Sequence, residues 1–117
     1  MPVNERSGRV ERAINYIENH LAEVSGPRDV AAVIGVSYEA LRKQFRREVG
    51  VPIGRYIRQV RIDRARQLLV ETDDPVYVIC REVGYSSDSS GIRAFKRVTG
   101  LTMDQYRRQY RDGEASK

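Results

Sequence analysis

Glu39, Arg42, Lys43 and Arg46 stand at the three- and four-residue steps of one helix face. Leu41 and Phe45, one turn apart, take the inner face and so turn those four outward. The chemistry open to them is polar recognition of a polyanion. Arg42 and Lys43 match the O6 and N7 acceptors of guanine, and Glu39 can accept from cytosine N4. Arg46 and Arg47 suit phosphate. Residues for catalysis are missing from the pattern. With one histidine (His20) and one cysteine (Cys80), the chain builds no transition-metal cluster by itself. It has no glycine-rich phosphate loop, no H-E-x-x-H and no nucleophile with a paired base. Ser86, Ser87, Ser89 and Ser90 have no histidine beside them and read as turn and cap residues. The expectation is no cofactor, no bound metal and no enzymatic activity.

The elements that must hold these residues are helices. Val10, Ala13, Ile14, Ile17 and Leu21 form one stripe, a first helix over about residues 8–23. Ser25-Gly26-Pro27 breaks it, and Pro27 suits the first position of a short helix to about residue 34. Gly35 ends that helix and Ser37 caps the next, which runs to Val49 before Gly50. Pro52 opens a long helix to about Glu71, whose apolar stripe shifts round its axis, as in a connector packed into two cores. Thr72-Asp73-Asp74-Pro75 restarts the chain, with Asp74 as N-cap and Pro75 in the first turn. A short helix to Val83 follows, then one over about 87–98, then a last one through about Tyr110. Thr102 and Gln105 make a capping box for the last. Residues 1–8 read as a flexible leader and 112–117 as a flexible tail.

The chain repeats itself at an offset of fifty. FRREVGVPIGRYIRQ from Phe45 is answered by FKRVTGLTMDQYRRQ from Phe95. Upstream, Ala31 and Gly35 are answered by Cys80 and Gly84, with one extra residue in the second turn. Each copy has a helix-turn-helix layout: a small residue for close approach, a glycine for the turn, then a helix with an apolar inner face. The expected architecture is all-α, with seven helices forming two helix-turn-helix subdomains (9–51 and 72–111) joined by the connector (52–71). The offset places Ser89, Ile92, Arg93 and Lys96 on the outward face of the second unit. Arg93 is its strongest base reader. The expected base-reading set is Glu39, Arg42, Lys43, Ser89, Ile92 and Arg93. The expected backbone-contacting set is Ser37, Arg46, Arg47, Ser87, Ser90, Lys96 and Arg97.

Composition agrees. The 117 residues are 40% hydrophobic and 32% charged, enough apolar material for a core and too much for a disordered chain. Eighteen of the 21 basic residues are arginine, and the net charge is +5. Between Ser37 and Val70 nine basic residues face three acidic ones, and between Gly91 and Arg111 six face one. Clustered basic charge points to a polyanion. The longest apolar run is five residues, too short for a membrane span. With one cysteine and no secretory signal, a reducing cytoplasmic setting is expected.

The segments AAVIGVSYEALRKQFRREVGVPIGRYIRQVRIDRARQLL and VICREVGYSSDSSGIRAFKRVTGLTMDQYRR resemble the DNA-binding domain of the AraC/XylS family of bacterial transcription regulators. The resemblance covers about residues 8–111. Its most specific parts are Arg61 to Leu69, Gly84-Tyr85-Ser86, and Phe95 to Gly100 with Tyr106-Arg107. It implies a seven-helix domain whose two recognition helices, about 37–49 and 87–98, enter successive major-groove segments. The spacing fits: a connector of about 18 residues is roughly 27 Å long, against about 34 Å between groove segments on one face of DNA.

Three positions depart from the family pattern. Where the family has a bulky residue one turn before Phe95, this chain has Gly91, and helical glycine costs about 1 kcal/mol against alanine. Either Ile92 partly fills the gap, rotating or bending the helix, or Ile92 stays outward and meets a thymine methyl. Met103 replaces a proline, and Cys80 an alanine, as a small buried hydrophobe.

The implied partners are double-stranded DNA and RNA polymerase, with no membrane. An N-terminal sensor or receiver domain is absent from the chain, which reads either as a small complete activator or as the C-terminal part of a longer regulator. Two other functions fit less of the pattern. One is a helical interaction module for RNA polymerase or a sensor domain, through Glu11, Glu18 and Glu23. The other is a non-specific DNA binder.

Overall fold

The computed structural model describes residues 7–112. They form seven α-helices: α1 (Gly8–Asn19), α2 (Pro27–Ile34), α3 (Tyr38–Val49), α4 (Ile53–Glu71), α5 (Val76–Glu82), α6 (Asp88–Thr99) and α7 (Met103–Arg107). A 3-10 turn over Leu21–Glu23 follows α1, and a π turn over Arg108–Asp112 follows α7. The described residues contain no strand. The all-α expectation with seven helices holds. The flexibility expected of residues 1–6 and 113–117 lies outside the described residues. Ser7 and Gly8, read from sequence as leader, are the N-cap and the first residue of α1.

Local chemistry sets the helix ends. Ser37, Ser87 and Thr102 each accept from a backbone N–H in the first turn of α3, α6 and α7, and Thr102 and Gln105 close a full capping box. Pro27 is the first residue of α2. Gly35, Gly50 and Gly100 end α2, α3 and α6 at positive φ, the left-handed geometry that costs glycine least. Two expectations shift. The first helix stops at Asn19, and Leu21 reaches the core from the 3-10 turn. At α5 the cap is Pro75, not Asp74. Pro75 is extended at ψ 155°, and its carbonyl accepts from Val78 and Ile79. Proline's ring disfavours helical geometry in the residue before it, so Asp74 stays outside the helix. Its N–H donates to the Thr72 hydroxyl.

The chain divides into two compact units between Val60 and Arg61, inside α4. The first half of α4 belongs to one unit and the second half to the other. In the first unit α1, α2 and α3 pack on one another around Val10, Ile17, Val30, Leu41, Phe45 and Ile53, all at most 1% exposed. Phe45 meets Tyr56 edge-on, with ring centroids 5.3 Å apart. Glu48 ties α3 to the start of α1: one carboxylate oxygen accepts from the Ser7 N–H at 2.7 Å, the other from Gln44 at 2.9 Å. These hydrogen bonds, the Ser7 one first, hold the Glu48 carboxyl below its ordinary pKa.

The second unit repeats this plan. Phe95 is fully buried and meets Tyr106 edge-on at 5.4 Å. Met103 takes the buried place of Ile53. The exception is Gly91, the counterpart of the fully buried Leu41. It leaves no gap to fill. A Cβ built on Gly91 would lie 2.8 Å from the Cys80 Sγ and 3.0 Å from the Tyr85 ring. Bulk is distributed differently in the two units: buried Leu41 on α3 and small buried Ala31 on α2 in one, Gly91 on α6 against Cys80 and Tyr85 in the other. Of the two readings of Ile92, partly filling the gap is the one that fails, because Cys80 and Tyr85 already occupy the space beside Gly91, and Ile92 stays 39% exposed.

Two expected outcomes follow. Gly91→Ala overpacks this contact and lowers stability by about 1–3 kcal/mol, and Cys80→Ala added to it recovers most of the loss, both read by thermal unfolding. Glu48 contributes stability above the ordinary glutamate range and loses it as pH falls through its lowered pKa. Glu48→Gln therefore unfolds at lower temperature than wild type at pH 7, and the difference shrinks as the melt is repeated towards pH 3.

Candidate nucleic-acid interface

The outward face of α3 is as the helix period requires. Glu39, Arg42, Lys43, Arg46 and Arg47 are exposed, as is the cap residue Ser37. Glu39 and Arg42, both assigned to base reading, are paired with each other at 3.0 Å. Arg42's hydrogen bond, then its charge, holds the Glu39 carboxyl below its ordinary range. An exposed pair of this kind adds little stability. Its effect is on direction: it fixes one edge of the guanidinium and leaves other donors outward.

Beside this pair lies a cleft of ≈ 290 Å³, with Tyr38, Arg42 and Arg46 along it and Pro27, Pro52 and Ile53 as its apolar wall. The Arg28 guanidinium sits 4.3 Å above the Tyr38 ring. The sequence reading missed Arg28. Its signal was an arginine directly after the helix-opening Pro27, on the helix that precedes the basic one.

In the second unit Ser89, Ile92, Arg93, Lys96 and Arg97 are exposed on α6. Ser87, Ser89 and Ser90 form a hydroxyl cluster, with Ser87 Oγ 2.8 Å from Ser90 Oγ and 3.4 Å from Ser89 Oγ. The Ser90 hydroxyl donates to the Ser87 carbonyl, and the Ser90 N–H donates to the Ser87 hydroxyl. Both expected phosphate contacts are thus engaged in the cap. Asp88, exposed in the first turn, favours the helix dipole there without capping the helix itself.

Several cations counted in the basic clusters hold the fold together. Arg107 donates to the Leu69 carbonyl at 2.9 Å and the Thr72 carbonyl at 3.1 Å. Arg111 donates to the same Thr72 carbonyl and pairs with Asp73. Together they cap the C-terminus of α4, where peptide carbonyls lack helical partners. Arg61 is half-buried with its guanidinium 5.4 Å from the Tyr85 ring, and burial lowers its pKa. The basic surface is narrower than the composition implied; α3 keeps four exposed cations and α6 three, while α4 also exposes Arg55, Arg58 and Arg64.

Two basic helices, α3 and α6, are each the second helix of a helix-turn-helix and stand at the same register of a duplicated unit. Residues 30–109 match the family described as "Helix-turn-helix domain". The structure resembles an AraC-type transcriptional regulator from Chromobacterium violaceum, with TM-score 0.75 and 27% identity over 86% of this chain and 90% of that one. The chain belongs to the AraC-type helix-turn-helix family. This AraC-type domain is the DNA-binding part of transcriptional regulators and is not an enzyme family.

Other known proteins are similar to it. The C-terminal domain of AraT, a response regulator from Geobacillus stearothermophilus, matches with TM-score 0.82 and 30% identity over 88% of this chain and 86% of that one. The DNA-binding domain of AdpA, solved with a target DNA, shares the fold at TM-score 0.86 and 22% identity, over 95% of this chain and all of that one. The probable transcriptional regulator LumQ of Photobacterium leiognathi is 29% identical over 79% of this chain, and the matched part is 37% of LumQ. For a Staphylococcus aureus HTH-type regulator, 32% identical over 85% of this chain, it is 13%. No described helix is long and apolar enough to cross a membrane.

The division between structural and interfacial cations is measurable. Removing a cation that touches phosphate lowers the salt slope of DNA binding by about 1. Arg46→Ala is expected to do this at unchanged melting temperature. Arg107→Ala is expected to lower the melting temperature and leave the slope unchanged.

Proposed function

We propose that this AraC-type domain acts as a sequence-specific regulator of transcription on double-stranded DNA, inserting α3 and α6 into successive major-groove segments. The observation that carries the reading is the matched exposure of Glu39, Arg42, Lys43 and Arg46 on one helix and Ser89, Ile92, Arg93 and Lys96 on the other. A surface evolved only for a protein partner has no need of polar readers at the same register twice.

The two helices divide the work unequally. The first unit reads bases through Arg42 and Lys43, which suit guanine, with Glu39 accepting from cytosine. Arg28 joins Arg46 and Arg47 on the phosphates. In the second unit Arg93 is the one strong polar base reader, and Lys96 and Arg97 hold the backbone. RNA polymerase is the proposed protein partner, and the cytoplasm the proposed compartment. A sensor or receiver module, as in a response regulator, is the proposed source of control.

The test is selection of bound sequences from random duplexes about 25 base pairs long, enough for two boxes one helical turn apart. A two-box motif is expected, and Arg42→Ala is expected to relax discrimination more than Arg93→Ala. A selected duplex that binds no better than a scrambled one, with both weakening steeply in salt, overturns the reading in favour of a non-specific binder.

A further inference from the structure

α6 exposes one large aliphatic side chain in the middle of its groove-facing stripe. Ile92 is 39% exposed, with exposed Ser89, Arg93 and Lys96 one turn to either side of it or adjacent. The inner face of the same helix is closed without it. Phe95 is fully buried, and Gly91 lets α6 sit directly on Cys80 and Tyr85. The space beside Gly91 is already taken by the Cys80 sulfur and the Tyr85 ring. A helix that gained its contact through a glycine has kept a branched apolar residue outside, at the position held in α3 by Arg42.

We propose that Ile92 is a specificity-determining residue that reads the C5-methyl group of thymine in the major groove. This rests on the DNA-reading function above and makes its two boxes chemically unlike. Arg42 offers hydrogen-bond donors to guanine. Its counterpart Ile92 has none, and the thymine methyl is the one apolar group a base pair presents in the major groove. The surrounding groups agree: the exposed Ser89 hydroxyl tolerates any base, and Arg93 and Lys96 can hold the flanking phosphates or a neighbouring guanine. The box under α6 therefore contains a thymine whose methyl is covered, and the box under α3 is defined by a G·C pair.

The test removes only the methyl. In the selected duplex each thymine is replaced in turn by deoxyuridine, and the dissociation constant of the full chain is measured for wild type, Ile92→Ala and Ile92→Val. Burying one methyl-sized group is worth about fourfold in affinity. We expect one or two thymines in one box to lose about that factor when demethylated. Ile92→Ala, exposed and compatible with a helix, is expected to lose a similar factor on the thymine duplex and to be indifferent to the deoxyuridine exchange. Ile92→Val is expected to retain most of the sensitivity. Wild type indifferent to every deoxyuridine while still selecting a motif overturns the proposal and leaves the DNA-reading function standing. So does Ile92→Ala that keeps the methyl sensitivity. Failure to select any motif overturns both.

Discussion

Phe45 and Phe95 decide which way each recognition helix faces. Both are fully buried, and each is met edge-on by a tyrosine from the following helix, Tyr56 or Tyr106. Truncating such a phenylalanine costs about 3–5 kcal/mol, and the edge-to-face contact adds about 0.5–1.5 kcal/mol to its area burial. One residue of slippage rotates a helix face by about 100°. With the ring seated, Arg42, Lys43 and Arg46 turn to solvent on α3, and Arg93 and Lys96 on α6. The serine caps and the left-handed glycines set where each helix begins and ends. The phenylalanine sets its rotation.

Around that shared anchor the two units solve their packing differently. The first has a buried Leu41 on the recognition helix and the small, buried Ala31 on α2. The second places Gly91 on the helix and the bulk in Cys80 and Tyr85. Interiors are packed densely enough that volume lost on one side must return on the other. A helix seated through glycine keeps its next residue free, and Ile92 stays on the surface. Electrostatics differ in the same way. The first unit carries an ion pair, Glu39 with Arg42, inside its reading face, whereas the second carries a serine cluster and three cations, Arg93, Lys96 and Arg97, of which Arg93 is the strong base reader.

Much of this was legible in the residues. The fifty-residue offset disclosed the duplication because the features that repeat are short-range: cap serines, turn glycines, and a phenylalanine one turn inside. Helix rotation followed from Leu41 and Phe45. What could not be read was long-range. Arg107 stood out as part of the resemblance, but its task was not legible until the end of α4 supplied two carbonyls at its guanidinium. Gly91 looks like a lost core residue until Cys80 and Tyr85 are seen against it. Glu48 counted only as a charge before Ser7 reached it from the other end of the unit. Pair formation between Glu39 and Arg42 was within reach, since they are three apart on a helix. It was overlooked because both had been assigned outward to bases.

The claim at the centre is that two helices of one chain meet DNA with the faces their phenylalanines turn outward. The most direct test is titration of the isotopically labelled chain with its selected duplex, following side-chain and amide resonances by NMR. The account predicts large perturbations at Arg42, Lys43, Arg46, Ile92, Arg93 and Lys96 together, with Arg107, Arg111 and the α1 acids unmoved. Perturbations confined to one of the two helices, or centred on α1, would contradict it.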